Sequence, residues 1–356
     1  MKIGDFDIAA AQRPMCIAEL GAAHNGSLET AIGLIRIAAR AGADGIKIQA
    51  FSPDSITGNF PRPEFTITDG PWRGRHLYEL YTAAQTPRAW FPQLYAVADE
   101  IGIPLFPSVF SIEDIEFVKQ FNPPALKIAS FELVDPILIK AAMWEGKPLI
   151  LSTGMASWGE INAAASVVRV HPSIWLHCVS SYPTPLEKLN LRFMDVLRRQ
   201  QNFVGLSDHT LGTEAAMMAT ARGACMIEKH ITLTPAGPGL DDHFASGVEE
   251  FAMFVKAVHT AAAALGPSDL DWKTSARDDS EHAPLRRSLY VVEPVAAGAL
   301  FNPVNVRSIR PGLGLAPSFY PRVIGARAAM DIPAGTPLAE HMIEVRNDGH
   351  PRRDLP

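Results

Sequence analysis

The 356 residues are enough for two domains and a sizeable core, and 47% hydrophobic with 20% charged residues suits a soluble globular protein. No apolar run approaches the roughly 20 residues of a membrane span, and a net charge of −6 without a basic cluster argues against a nucleic-acid partner. Met1 to Pro14 lacks a basic stretch followed by an apolar core, so no secretory leader is expected; three cysteines inside apolar runs read as reduced, buried thiols of a cytoplasmic protein.

In chain order, eight short apolar runs end in polar or ionisable residues: 16–19, 45–49, 103–108, 125–130, 148–152, 174–180, 203–209 and 225–230. Their length and their Gly and Pro boundaries predict buried parallel strands. After the first, Asn25-Gly26 turns the chain and Ser27 caps a helix with Leu28, Ala31, Ile32, Ile35 and Ala38 on one face. After the second comes a long Pro- and Gly-rich connection, Phe51 to about Thr86, of the length used for lids and binding loops. Helices are predicted from Pro87 to Ile101 and over 112–120, 135–144, 157–170, 192–199, 213–222 and 248–265. Eight strand–helix units in about 250 residues predict an α/β fold, a (β/α)8 TIM barrel over residues 1–265.

A polar linker follows over 266–284, and a small β-rich domain over 285–356. Val295 to Phe301 is echoed 37 residues on by Ile332 to Leu338, with aliphatic Val306 and Ile343 five residues beyond each, which predicts a pseudo-symmetric module.

Catalytic groups in such barrels project from the carboxyl ends of the strands. Here those ends carry Glu19, Lys47, Gln49, Ser108, Lys127, Ser130, Glu132, Ser152, Ser180, Ser207, His209 and His230. Two lysines, two histidines, two carboxylates and several hydroxyls at one mouth read as an anion-handling, metal-assisted site. Lys47 and Lys127 are point charges suited to a carboxylate and a phosphate, with a structural ion pair as the alternative. Each serine, taken alone, serves equally as a strand cap. The turn from Ser152 to Gly154 is expected to open a helix whose amino end favours phosphate. Neither glycine fingerprint of a dinucleotide or P-loop fold falls at a strand–helix turn.

Glu19-Leu20-Gly21 with His24-Asn25-Gly26, Lys47-Ile48-Gln49, Lys127-Ile128-Ala129-Ser130, Leu151 to Met155, Ser181 to Pro185, Gly205 to Thr210 and Glu228-Lys229-His230 follow one another along nearly the whole chain. Together they resemble the sialic acid (nonulosonic acid) synthase family, and the terminal module with Arg307 to Gly312 resembles its antifreeze-like (SAF) domain. Gly74-Arg75, Leu77 to Tyr81, Thr86-Pro87 and Lys127 to Glu132 are most similar to the pseudaminic acid synthases of that family, with neuraminate and legionaminate synthases as alternatives. Phe110 after Ser108, Val179 before Ser180, and Arg88 and Phe91 after Pro87 depart from the usual patterns.

The resemblance implies condensation of phosphoenolpyruvate with an open-chain acetamido-sugar aldehyde, releasing phosphate. It implies that Lys47, Lys127, Ser108, Ser130, Ser152 and Ser207 bind phosphoenolpyruvate, and that Gln49, Ser180, Tyr182 and Arg310 contact the sugar. His209 and His230 would hold a divalent ion; imidazole suits Mn, Zn or Fe better than Mg by softness, but two neutral ligands leave the choice open, with Mn or Mg expected. Glu19, Glu132 and an acidic loop residue, Asp242 or its neighbour Asp241, would move protons. Arg310 would reach a neighbouring subunit's barrel in a domain-swapped homodimer. A Schiff-base aldolase, also using a lysine at a strand end, is the alternative from another class.

Overall fold

Alternation of side chains along each strand decides what fills the barrel and what reaches its mouth. The computed structural model describes residues 1–70, 72–266 and 280–344. A hairpin, β1 (Lys2–Ile3) and β2 (Phe6–Asp7), precedes eight parallel strands: β3 (Met15–Glu19), β4 (Gly45–Ala50), β5 (Leu105–Val109), β6 (Leu126–Ile128), β7 (Leu149–Ser152), β8 (Ser173–Cys178), β9 (Val204–Asp208) and β10 (Met226–His230). They close in sequence order, with β10 pairing β3. The α/β barrel class expected from the apolar runs is the one observed.

Residues two apart on a strand share a face. Met15, Ile17, Phe106, Ala125, Ile150, Ile174, Leu176 and Met226 form one buried cluster with Ile3 and Ile8 of the hairpin segment, filling the amino-terminal half of the barrel. Cys16, Ala18, Ile46, Ile48, Leu126, Ile128, Leu149, Leu151, Trp175, Leu206 and Ile227 belong to the other cluster, packed against the helices. Continuing the inward set by two residues gives Glu19, Lys47, Ser108, Lys127, Ser152, Cys178, Ser207, Glu228 and His230. The interior is therefore apolar below and ionic above. Gly205 sits where a Cβ would come 2.2 Å from the Met226 carbonyl oxygen and 2.7 Å from Leu176, so this narrow layer admits no side chain there.

The surrounding helices are α1 (Leu28–Arg40), capped by Ser27, then α2 (Pro53–Ile56) and α3 (Leu77–Ala84) within the long connection, and α4 (Phe91–Ile101). They continue as α5 (Ile112–Val118), α6 (Pro136–Trp144), α7 (Trp158–Val168), α8 (Phe193–Arg198), α9 (Glu214–Ala221) and α10 (Val248–Leu265). Several strands stop short of their expected ends. Ser130 to Glu132 form a 3-10 turn, Ser180 lies in a loop, and His209 is one residue past β9. The helix expected to open at Ser152 to Gly154 begins only at Trp158, because Ser157 and Glu160 form a capping box there. Of the cysteines, Cys16 and Cys178 are buried and Cys225 is partly exposed just before β10. Among the described residues no helix is long and apolar enough to cross a membrane.

Contacts divide the chain into two units, Met1–Ser268 and Asp269–Pro356. Most of the expected linker, 267–279, lies outside the described residues. In the second unit β11 (Ser288–Val291) pairs antiparallel with β12 (Val306–Ile309) and β13 (Thr336–Pro337). The two repeats meet directly: Val295 and Ile332 exchange backbone hydrogen bonds of 2.9 and 2.8 Å, and Phe301 and Leu338 share one small core. Gly298 and Gly335, at matching repeat positions, both have left-handed φ, 77° and 84°.

Candidate active site

Four ionic side chains meet at the top of the apolar interior. Lys47 Nζ lies 2.8 Å from Glu228 Oε1 and 3.4 Å from Glu19 Oε2. Gln49 Nε2 donates to Glu19 Oε1 at 3.0 Å, and Ser207 Oγ donates to Glu228 Oε1 at 3.0 Å. Lys127, 1% exposed, donates among the described residues only to the Ile128 carbonyl, at 3.1 Å. Strand register explains the pairing: Glu19 is opposite Lys47, Ser207 opposite Glu228, and Ser108 opposite Lys127.

These environments drive the titrations apart. Burial raises the Glu19 carboxyl, against the opposing pull of Lys47 and His230. Burial also acts on Glu228, but Lys47 and Lys127 outweigh it and hold that carboxyl low and ionised. For Lys47, burial is outweighed by the two carboxylates, which keep it a cation. Burial and the charge of Lys47 lower Lys127 to about 8. A carboxyl pushed up beside one pushed down is the arrangement that separates acid from base roles.

Glu228 was not among the residues singled out from the sequence, although its motif was. The signal was present: in Glu228-Lys229-His230 an inward His230 requires an inward Glu228 and an outward Lys229. Lys229 indeed turns outward, bonding Asp208 Oδ2 at 2.9 Å and the Thr210 carbonyl at 2.7 Å.

The hydroxyls divide. Ser130 Oγ accepts from the Gly154 amide at 3.0 Å. Ser108, Ser152 and Ser180 have buried Oγ atoms with no protein partner, as does Glu228 Oε2. Buried polar atoms without protein partners are open to water or a ligand, and hydroxyls near two ammonium groups suit an oxyanion. The helix-terminus contribution expected at Ser152 to Gly154 is absent, since no helix starts there.

Across the mouth, the His209 and His230 rings are 5.5 Å apart between centroids. His209 Nδ1 is 2.9 Å from the Val179 carbonyl, which makes that nitrogen the donor and leaves Nε2 as a ligand atom. His230 Nδ1 is buried without a hydrogen-bond partner. The ring nitrogens that could serve a divalent cation are therefore His209 Nε2 and His230 Nδ1. Tyr182 packs on His209 at 4.2 Å and Phe244 on His230 at 4.8 Å, fixing both rings. A second group, Cys16, Asp44 and His259, brings three ligand types together. It does not fit a metal: Asp44 already accepts two Arg13 N–H groups at 2.6 and 2.7 Å, and burial raises the Cys16 thiol.

Of the two acidic loop residues, the structure turns Asp241 towards the histidines. Asp241 Oδ2 is 3.5 Å from His230 Nδ1 and accepts from the Ala22 amide at 2.8 Å. That approach needs Gly21, where φ is +47° and a Cβ would lie 2.1 Å from the same oxygen. Asp242, favoured from the sequence, is instead consumed by its own loop: it accepts from Thr232 (2.5 Å), Thr234 (2.9 Å) and the Gly239 amide (2.9 Å). Asp241, the alternative offered by the sequence, is thus the one that lies beside the histidines.

A cavity of about 500 Å³ opens above these groups, with Gln49, Glu132, Tyr182, His230 and Asp241 among its polar lining. The 51–86 connection supplies much of its apolar wall through Ile56, Ile67, Trp72, Leu77 and Leu80. Arg310 lies in the second unit, exposed, directly after β12.

Comparison with known proteins agrees with this geometry. The profile of the NeuB family matches residues 34–269, and that of the SAF domain matches 286–344. A pseudaminic acid synthase of Campylobacter jejuni subsp. jejuni serotype O:23/36 is 42% identical over 344 residues, 96% of this chain and 99% of that one. An N,N'-diacetyllegionaminic acid synthase of Legionella pneumophila is 32% identical, covering 92% of this chain and 94% of the other. Among solved structures, an N-acetylneuraminic acid synthetase from Leptospira borgpetersenii superposes with a TM-score of 0.69 at 30% identity, over 79% of this chain and 95% of its own. With the barrel, the ionic floor and the SAF module all accounted for, the chain belongs to the NeuB family.

Proposed function

We propose that the protein is a pseudaminic acid synthase, condensing phosphoenolpyruvate with an acetamido-sugar aldehyde to a nine-carbon 2-keto acid and phosphate. The observation that carries this reading is the buried Glu19–Lys47–Glu228 group beside Lys127, a preorganised anion site at the barrel mouth. The higher identity to a pseudaminic acid synthase than to a legionaminic acid synthase favours the sugar class. A Schiff-base aldolase is not favoured, because the relatives that span nearly the whole chain are nonulosonic acid synthases.

In this reading Lys47 and Lys127 neutralise the carboxylate and phosphate, Ser108, Ser152 and Ser180 donate to their oxygens, and Ser207 holds Glu228. Gln49 and Tyr182 orient the aldehyde from the cavity side. A divalent ion held by His209 and His230, with Asp241 beside it, would polarise the aldehyde oxygen. The enol carbon forms the new C–C bond, the aldehyde oxygen takes up a proton, and water adds to the resulting cationic C2. Glu19, its carboxyl raised by burial, is placed to give a proton; ionised Glu228 is placed to receive one. The tetrahedral adduct then collapses to the ketone and inorganic phosphate.

That sequence breaks the C–O bond. Phosphoenolpyruvate carrying heavy oxygen at the bridge is expected to release labelled phosphate, read by mass spectrometry. Unlabelled phosphate means attack at phosphorus and overturns the mechanism.

The expected domain-swapped dimer is proposed on the exposure of Arg310 in a unit of small core. Mixing Arg310→Ala chains with chains inactivated at Lys127 is expected to restore part of the activity, since one mixed site keeps both residues. Demonstrated heterodimers without recovery would exclude the shared site.

A further inference from the structure

Behind the barrel wall, on the side facing the helices, a buried ion pair spans the two strands that deliver the histidines. Asp208 and Lys229 are opposite each other in the pairing of β9 with β10, and they immediately precede His209 and His230. Leu206 and Ile227, two residues before each, belong to the apolar cluster packed against the helices. Asp208 and Lys229 continue that outward face, so the charged pair interrupts an apolar layer. They are only 1% and 3% exposed, and Lys229 Nζ lies 5.9 Å from the ring centroid of Phe254 on α10.

A buried ion pair contributes little stability compared with apolar side chains of the same volume. What this one supplies is geometry. Lys229 Nζ donates to Asp208 Oδ2 at 2.9 Å and to the Thr210 carbonyl at 2.7 Å. Asp208 Oδ1 in turn accepts from the Thr210 amide at 2.9 Å and from the Thr210 hydroxyl at 2.7 Å, closing an Asx turn around His209. One ammonium from β10 therefore grips both ends of the three-residue turn that carries His209, while its own backbone leads directly into His230. The other tethers of the two histidine backbones run to loops: the Thr184 amide donates to the His209 carbonyl at 2.8 Å, and the Ser246 amide to the His230 carbonyl at 2.9 Å. The Lys229 contacts tie the two histidine-bearing segments to each other.

We infer that Lys229 and Asp208 are positioning residues, which set from behind the separation at which His209 and His230 present their ring nitrogens. Both act through the backbone, from the far side of the wall. The inference rests on the proposed role of the two histidines in holding a divalent ion.

The test is Mn2+ titration of chelator-stripped protein, followed by the electron paramagnetic resonance signal of the free ion, with thermal unfolding of the same stripped samples. Lys229→Met strands a buried carboxylate, so it is expected both to melt at a lower temperature and to bind Mn2+ ~10–100-fold more weakly. Combining Asp208→Leu with Lys229→Met replaces the pair by apolar side chains. That variant is expected to recover the melting temperature yet to remain ~10–100-fold weaker for Mn2+. A pair that merely stabilised the wall would recover both, so wild-type Mn2+ affinity in the folded double variant overturns the inference. In the same variant kcat is expected to fall with the KM for phosphoenolpyruvate unchanged; a KM raised as much as the Mn2+ dissociation constant would mean general distortion of the mouth and also overturn it. If the double variant does not fold, Thr210→Val decides. It leaves the ion pair in place, removes one hydroxyl contact to Asp208, and is expected to weaken Mn2+ binding about 5-fold, whereas wild-type affinity there overturns the inference. A wild-type protein that binds no Mn2+ would instead overturn the metal reading, and the positioning role with it.

Discussion

Replacing Lys47 with Met is expected to lower kcat/KM for phosphoenolpyruvate by ~1,000-fold or more and to destabilise the barrel by about 3–5 kcal/mol. The first figure follows from removing one preorganised charge aimed at the anionic substrate. The second follows from breaking a buried ion pair by deleting one partner, which strands Glu19 and Glu228 without their shared cation. The pH dependence separates this from simple loss of packing. In the wild-type protein the depressed Glu228 contributes stability that is present above the unfolded carboxyl pKa of about 4.3 and lost as pH falls through its lower folded value. Without Lys47, burial dominates and both carboxyls rise above that unfolded value. The folded variant then binds more protons than the unfolded chain, so its stability falls as pH rises above about 4.3. Urea denaturation at pH 5 and pH 8 should show the gap to wild type widening with pH. A constant gap would mean that Lys47 is not the counter-ion of these carboxylates.

The barrel was legible because each strand is a short apolar run bounded by turn residues, and the same alternation that builds the core points every second residue at the mouth. Lys47, Lys127 and Ser207 could be read in that way. Glu228 is legible by the same rule, since it stands two before His230 and so shares its face. Loop geometry carried no such period. Nothing in Asp241-Asp242 says which carboxylate the Thr232 and Thr234 hydroxyls will claim; that is decided by chain reversal between β10 and α10 and by the room left at Gly21. The Ser152 to Gly154 turn misled for a related reason. Its glycine serves close packing, with a Cβ there falling 2.4 Å from Ser180 Oγ, rather than a helix start.

Either His209→Ala or His230→Ala is expected to abolish tight divalent-ion binding and to reduce turnover at least ~1,000-fold. Each ring supplies one neutral nitrogen, so deleting either leaves a single imidazole and the nearby Asp241 carboxylate, too few ligands for a defined site. A Lewis acid contributes several kcal/mol to the developing alkoxide, and about 4 kcal/mol corresponds to that loss in rate. Calorimetric titration with Mn2+ or Mg2+ reads the binding, and circular dichroism checks the fold. The interior beneath the histidines is apolar and independent of them, so the variants should remain folded. Chelator should lower the melting temperature of the wild-type protein and leave both variants unchanged, because ligand binding stabilises only a chain that retains the site. Asp241→Asn is expected to have a smaller effect, since it keeps an oxygen at the same position. Wild-type turnover undiminished in chelated buffer, or unaltered Mn2+ affinity in His209→Ala, would remove the metal from this site and leave the aldehyde to be polarised by protein donors alone.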